Sequence, residues 1–217
     1  MNDAIKIDIW SDVVCPWCYI GKRNLEAGLA RFKASGDSVP FDIEYHSFEL
    51  SPDTPVDFEG SISDFLMGHR GVSEDTAQQM IDRVVGIAAD VGLDYDYPSI
   101  QHTNTVKAHQ LLHHAKVKGL QIEMKERLMR AYFVEGRHIG HDQVLAELAT
   151  EVGLDHDQVL ATIQSQEYLG AVRTDQDRAR QLGIGGVPFF VFNMKLGLSG
   201  AQPPEVFEKA LAEATTG

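Results

Sequence analysis

One stretch limits the possible folds more than any other: a strand-like run that passes through a short loop into a cysteine pair at the opening of a helix. Ile5-Lys6-Ile7-Asp8-Ile9-Trp10 alternates apolar and polar side chains and is rich in β-branched residues, the period of a strand. After the loop that starts at Ser11 the chain reads Cys15-Pro16-Trp17-Cys18, and Ile20, Leu25, Leu29 and Phe32 recur at near-helical spacing. Pro16 suits a first helical turn, where a missing N–H costs nothing, so Cys15 is expected at the helix N-terminus. The helix is expected to stop near Ser35-Gly36. Phe41-Asp42-Ile43-Glu44-Tyr45-His46 then alternates as a second strand. Strand, helix and strand in this order imply a parallel pair with a right-handed crossover.

From Ser51 to about Leu182 the pattern changes to successive amphipathic helices, predicted at 62–68, 74–91, 105–118, 120–133, 142–152, 157–164 and 168–182. The repeated Val-Gly-Leu-Asp at Val91 to Asp94 and Val152 to Asp155 reads as two helix endings with glycine just past the cap. After Gly183-Ile184-Gly185-Gly186, the run Val187-Pro188-Phe189-Phe190-Val191-Phe192 suits a buried strand. Asn193-Met194-Lys195 would turn it into Leu196-Gly197-Leu198-Ser199, and Pro203-Pro204 would open a terminal helix from Glu205 to Ala214. The expected class is α/β. Residues 1–50 and 183–217 are expected to complete one four-stranded sheet, with helix 168–182 packed on it and residues 51–182 inserted as a helical domain.

Nineteen Lys and Arg against 32 Asp and Glu give a net charge of −13, which repels phosphate backbones and anionic lipid surfaces. Neither nucleic acid nor a membrane is expected as a partner. Met1-Asn2-Asp3-Ala4-Ile5-Lys6 lacks the basic and apolar regions of a signal peptide, and no run approaches the roughly 20 apolar residues of a membrane span. A cytoplasmic protein is the expectation. With only two cysteines, Cys15 and Cys18, a multi-disulfide framework is excluded and the chemistry of the pair must be local.

A thiolate attacks a disulfide, so one cysteine needs a pKa below its reference of about 8.5. Free N–H groups and the positive end of the helix dipole favour an anionic sulfur at Cys15, the expected nucleophile. Two intervening residues keep Cys18 within reach to resolve a mixed disulfide. Pro16 stiffens the turn, and Trp17 with Tyr19 would form an apolar rim for a partner, although Trp17 equally suits simple packing. Asp12 serves either as a proton acceptor or as a turn cap, the role Asp favours on backbone grounds. Cys-x-x-Cys is also half of many zinc sites, which histidines would have to complete. His109 and His113 have the spacing of one helix face, and His102, His114, His138 and His141 are further candidates; solvent-facing or cap-bonded histidines are common on a polar helix such as Lys107 to Lys118, the reading favoured over zinc. No metal is expected at the pair.

Ser11-Asp12-Val13-Val14-Cys15-Pro16-Trp17-Cys18-Tyr19-Ile20-Gly21, His102-Thr103-Asn104-Thr105, Gly186-Val187-Pro188-Phe189-Phe190 and Ser199-Gly200-Ala201-Gln202-Pro203-Pro204 together resemble the FrnE-type branch of the bacterial DsbA-like thiol-disulfide oxidoreductases. The resemblance covers nearly the whole chain. It implies a thioredoxin fold, a four-stranded mixed sheet with flanking helices, interrupted by an inserted α-helical domain. It also implies a cis peptide before Pro188, although only about 5–6% of X-Pro bonds in folded proteins are cis. A cis bond would turn the backbone of Val187 toward the dithiol, where it can pair with an extended substrate. The Cys15–Cys18 disulfide would be the redox group, with no other cofactor. Glutathione is a candidate co-substrate, and partners are protein or small-molecule thiols and disulfides; a homodimer stays open.

The same superfamily contains kappa-class glutathione transferases and 2-hydroxychromene-2-carboxylate isomerases, whose motif usually has serine where Cys15 stands. The presence of both cysteines favours redox exchange over that alternative, and a non-enzymatic binding module is the third reading. Asn104 is a candidate substrate contact, but Asn104 and Thr105 are also good N-caps for the helix that follows. The aromatic residues Phe48, Phe65, Tyr132, Phe133 and Phe189 suit a groove or, more ordinarily, a core.

Overall fold

A computed structural model of the chain describes residues 4–36 and 39–216. Met1, Asn2 and Asp3 of the N-terminal reading lie outside the described residues, as do Asp37, Ser38 and Gly217. The alternating segments form strands: β1 (Ile5–Ser11) and β2 (Phe41–Ser47) pair in parallel, Ile5 opposite Phe41 and Ser11 opposite Ser47. Helix α1 (Pro16–Ala34) makes the crossover between them. β3 (Phe189–Phe192) lies antiparallel to β1, with Ile9 opposite Phe190, and β4 (Leu196–Ser199) lies antiparallel to β3. The sheet order is β2-β1-β3-β4, the mixed four-stranded sheet of a thioredoxin fold.

Period-two alternation assigns each side chain to one face of this sheet. Ile5, Ile7, Ile9, Phe190 and Phe192 point to one side, where they meet Leu25, Leu29 and Phe32 of α1 and Phe207 and Leu211 of α9 (Pro204–Thr216). Gly28 makes the close approach of α1 and α9 possible, because a Cβ there would stand 2.6 Å from Phe207 Cβ and 3.0 Å from the Pro204 carbonyl oxygen. On the other face, Trp10 and Val191 pack with Ala179 and Ile184, flanked by Phe48, Val187 and Phe189.

The remaining helices are α2 (Ile62–Arg70), α3 (Glu74–Asp90), α4 (Val106–Val117), α5 (Gln121–Phe133), α6 (Asp142–Glu151), α7 (His156–Gln164) and α8 (Leu169–Gln181), with a 3-10 turn at Tyr97–Ser99. Side chains of Ser61, Ser73 and Asp155 accept backbone N–H bonds at the starts of α2, α3 and α7. Gly92 and Gly153 follow the caps of α3 and α6 with φ of 78° and 93°, the left-handed ending that the two Val-Gly-Leu-Asp segments predict. The chain divides into two compact units, Met1–Leu50 with Asp175–Gly217, and Ser51–Thr174, the division falling inside α8.

Helix α4 departs from expectation. Its Ala108 to Ala115 stretch is buried, His109, His113 and His114 included, because α4 is packed against α5, α6 and α7. These histidines are therefore not solvent-facing. Tyr132 and Phe133 are core residues, each 1% exposed. Among the described residues no helix is long and apolar enough to cross a membrane.

Candidate active site

The site begins where β1 ends. Cys15 is the N-cap of α1 in extended conformation, Pro16 occupies the first helical turn, and the Cys18 N–H donates to the Cys15 carbonyl at 3.0 Å. Both cysteines are free and 3% exposed. Their side chains hydrogen-bond each other. The Val187–Pro188 peptide is cis, and the Cys15 thiol donates to the Val187 carbonyl at 3.7 Å. The loop carrying that proline is tied down by the Gly200 N–H, which donates to the Pro188 carbonyl at 2.8 Å. Trp17 is 36% exposed beside the pair, Pro16 and Val187 are half-buried, and Pro188 is buried.

Cys15, Pro16, Trp17, Cys18, Val187 and Pro188 thus all belong to the sheet-containing unit, Cys15 meeting both Cys18 and Val187. Asn104 belongs to the helical unit, where its amide is engaged locally: Nδ2 donates to the Pro52 carbonyl at 2.9 Å, and Oδ1 accepts the Val106 N–H at 2.9 Å. The N-cap position of α4 is Thr105, which makes no side-chain cap bond, and Asn104, one residue earlier, holds the first helical N–H instead. Asp12, 1% exposed, accepts the Val13 N–H through Oδ1 and the Leu50 N–H through Oδ2, each at 2.8 Å, so its carboxylate organises the turn before Cys15.

The electrostatics correct the expectation of a depressed Cys15 pKa. Hydrogen bonding to Cys18, burial and the charge of Cys18, in that order, push the Cys15 thiol well above the ordinary thiol range; Asp12 adds to the rise. The helix-start effect is present, since the Cys18 N–H pulls the value down, but it is outweighed. Two thiols this close titrate as a pair: the site accepts one negative charge, and the second is opposed by the first.

Two features escape a reading of spacing alone. Gly21, one turn after Trp17, has no side chain where a Cβ would stand 3.0 Å from Pro188 Cγ and 3.2 Å from Phe190 Cζ, so α1 lies directly against the cis-proline loop. A glycine inside an apolar-periodic helix is the signal that marks it. On β2, His46 is held from both sides, Nε2 to Asp8 Oδ1 at 2.7 Å and Nδ1 to Asp175 Oδ1 at 2.9 Å, and stacks on Trp10 with centroids 4.5 Å apart. The Ser47 N–H and the Trp10 indole N–H donate to Asp175 Oδ2 and to the Asp175 carbonyl at 2.8 and 3.0 Å. Burial opposes a charge on His46, but the two aspartates prevail and its pKa is raised. Among the described residues, the groups of His, Cys, Asp and Glu that converge as metal ligands would are Asp57/His138/His141 and Asp8/Glu44/His46, and neither contains a cysteine.

Comparison with known proteins accords with this geometry. Residues 6–212 match the family described as DSBA-like thioredoxin domain. The crystal structure of a probable DsbA oxidoreductase from Streptomyces coelicolor is 38% identical with a TM-score of 0.88, covering 97% of this chain and 89% of that one. The cytosolic disulfide reductase DsbM from Pseudomonas aeruginosa, solved with GSH, is 21% identical with a TM-score of 0.62, covering 96% and 98% of the two chains. A 2-hydroxychromene-2-carboxylate isomerase structure is 13% identical with a TM-score of 0.72, covering 96% and 95%. At these last two identities the likeness is one of fold.

Proposed function

The chain belongs to the DsbA-like thioredoxin-domain family, and from that premise we propose that it is a thiol-disulfide oxidoreductase working through Cys15 and Cys18. The observation that carries this reading is the hydrogen-bonded thiol pair at the opening of α1 with Cys15 against the Val187 carbonyl. In the reductive direction the Cys15 thiolate attacks a substrate sulfur. The S–Cys15 bond forms, the substrate S–S bond breaks, and the departing thiolate takes a proton. The Cys18 thiolate then attacks Cys15 and releases the second substrate thiolate, which is protonated in turn. Two electrons have passed to the substrate, and the protein holds a Cys15–Cys18 disulfide. Oxidation of a dithiol is the same sequence reversed, with the direction set by the difference in potential, about 30 mV per 1.4 kcal/mol.

Sharing one charge between two sulfurs suits this exchange, because the sulfur that attacks and the sulfur that resolves are not required to be anionic together. Trp17, Pro16 and the Val187-Pro188 backbone would meet the substrate, the backbone pairing with an extended chain. Glutathione is the small thiol we propose as co-substrate, supported by the GSH-bound DsbM relative of the same fold. The reading places the protein in the cytoplasm, within the FrnE-type branch, with no cofactor beyond the dithiol. A non-redox isomerase would have no use for Cys18.

Turnover in a protein-disulfide reduction assay tests the reading. Cys15→Ser abolishes exchange, whereas Cys18→Ser accumulates a mixed disulfide with substrate. Full turnover by Cys15→Ser would reject the assignment, and tight non-covalent glutathione binding by that variant would favour the isomerase or transferase class instead.

A further inference from the structure

We propose that Asp57, His138 and His141, in the helical unit, form a binding site for a divalent transition-metal ion, with Zn²⁺ the ion that its donors suit. Nε2 of His141 lies 2.6 Å and Nε2 of His138 lies 3.6 Å from the same oxygen, Asp57 Oδ1. The ligand atoms of all three residues lie within 4.8 Å of one another. The two imidazoles are stacked, centroids 3.7 Å apart and planes 9° from parallel, so both rings present the same edge to the aspartate. Donors around one tetrahedral zinc ion stand about 3.3 Å apart, given Zn–N and Zn–O bonds of about 2.0–2.2 Å. Parallel stacked rings cannot both hold one ion in their planes, so binding requires one imidazole to turn out of the stack; His141 and Asp57, with side chains 46% and 78% exposed, have room to move. Two imidazoles and a carboxylate are a borderline donor set that favours first-row metals over calcium or magnesium, and three protein ligands leave a position for water.

The turn that brings the histidines together is built for close approach. Ile139, 0% exposed, anchors His138-Ile139-Gly140-His141, and the His141 N–H donates to the His138 carbonyl at 3.3 Å. A Cβ at Gly140 would collide with Thr103 Oγ1 and stand 3.2 Å from His138 Cε1. Thr103 Oγ1 in turn donates to the Val56 carbonyl at 2.7 Å, fixing the segment that carries Asp57 beside the turn. Lys107, whose charge reaches Asp57, is itself paired with Asp142 at 2.7 Å.

His138 accepts the Gly140 N–H through Nδ1 at 3.3 Å, and in the second convergent group the donors are engaged more fully still. Both ring nitrogens of His46 are committed to Asp8 and Asp175, and Lys6 Nζ bonds Glu44 Oε2 at 2.6 Å and Asp42 at 3.2 Å. It is already balanced by its own cations. At the proposed site a metal ion would clamp the segment after β2 to the turn between α5 and α6, a role independent of the thiol chemistry.

Zn²⁺ titration by calorimetry, on the full chain carrying Cys15→Ser and Cys18→Ser so that thiolates contribute nothing, tests the site. The expected result is one saturable Zn²⁺ that becomes at least about tenfold weaker in Asp57→Asn and in His141→Ala. Binding is expected to be unchanged in His156→Ala, a surface histidine paired with Asp157 instead. Both diagnostic positions are solvent-facing, with side chains 78% and 46% exposed, so the variants retain the fold. Zn²⁺ should also raise the melting temperature of the parent and lose that effect in both variants. No saturable binding below about 0.1 mM Zn²⁺, or binding that survives both substitutions, would overturn the proposal.

Discussion

Replacing Gly21 by alanine sets two effects of known size against each other. In a helix interior the change is worth about 1 kcal/mol of stabilisation through propensity. Here the new Cβ would stand 3.0 Å from Pro188 Cγ, 3.2 Å from Phe190 Cζ and 3.5 Å from the Ala201 Cα. None of these atoms can swing aside: one belongs to a proline ring, one to a side chain 1% exposed, and one to backbone. The Pro188 carbonyl is additionally held by Gly200 at 2.8 Å. Forcing a methyl group into such a site costs about 1–3 kcal/mol, so the net effect is a loss of up to about 2 kcal/mol. Both tryptophans, Trp10 and Trp17, lie in this unit, so urea unfolding followed by tryptophan fluorescence reports on it. With a slope of about 2.5 kcal/mol per molar, the midpoint should fall by as much as about 0.8 M. A shift of Pro188 that relieves the contact also disturbs the adjoining Val187 carbonyl against the Cys15 thiol, so disulfide exchange should slow as well. A midpoint raised by about 0.4 M, the full propensity gain, with unchanged turnover would refute the close packing on which this reasoning rests.

Three further outcomes follow from the same structure. Gly28→Ala should be more damaging than Gly21→Ala in the same unfolding assay, because its Cβ meets Phe207 Cβ at 2.6 Å and the Pro204 carbonyl oxygen at 3.0 Å; equal stability to wild type would contradict the α1–α9 contact. His46, raised above its unfolded value of about 6.5, stabilises the fold fully below that pH and loses this contribution as pH rises through the higher folded value. The stability gap between wild type and His46→Gln should therefore narrow with rising pH, and a gap that widens would show that the imidazole is buried neutral. Followed by thiolate absorbance, the reduced protein should gain one thiolate well before the second, which the Cys15–Cys18 hydrogen bond, burial and the first charge all defer to higher pH; two thiolates appearing together near the ordinary value of about 8.5 would contradict the shared charge.

What the sequence makes legible is what local physics decides. Alternation at Ile5 to Trp10 and Phe41 to His46, Pro16 in a first turn and Gly92 and Gly153 after caps each act within a few residues, and the corresponding elements form there. The dithiol is legible for the same reason, since its spacing and its helix opening are both local. Less legible is whatever depends on distant partners. Asp175 meets His46 across 129 positions, and neither residue stands out in a periodic pattern. The histidines of α4 look solvent-facing by polarity, yet three neighbouring helices enclose them. The thiol pKa fails as a sequence inference because the helix opening is visible in the chain, whereas burial and the Cys15–Cys18 hydrogen bond are not.

Counting thiols decides whether Cys15 and Cys18 work as an exchange pair. Reduced wild-type protein, treated with oxidised glutathione and then unfolded in an alkylating reagent, should show neither Cys15 nor Cys18 alkylated and no retained glutathione, its intact mass differing from the reduced protein by two hydrogens. Two alkylated cysteines after that treatment, or a stable glutathione adduct on the wild-type chain, would mean that the two sulfurs do not form a working exchange pair.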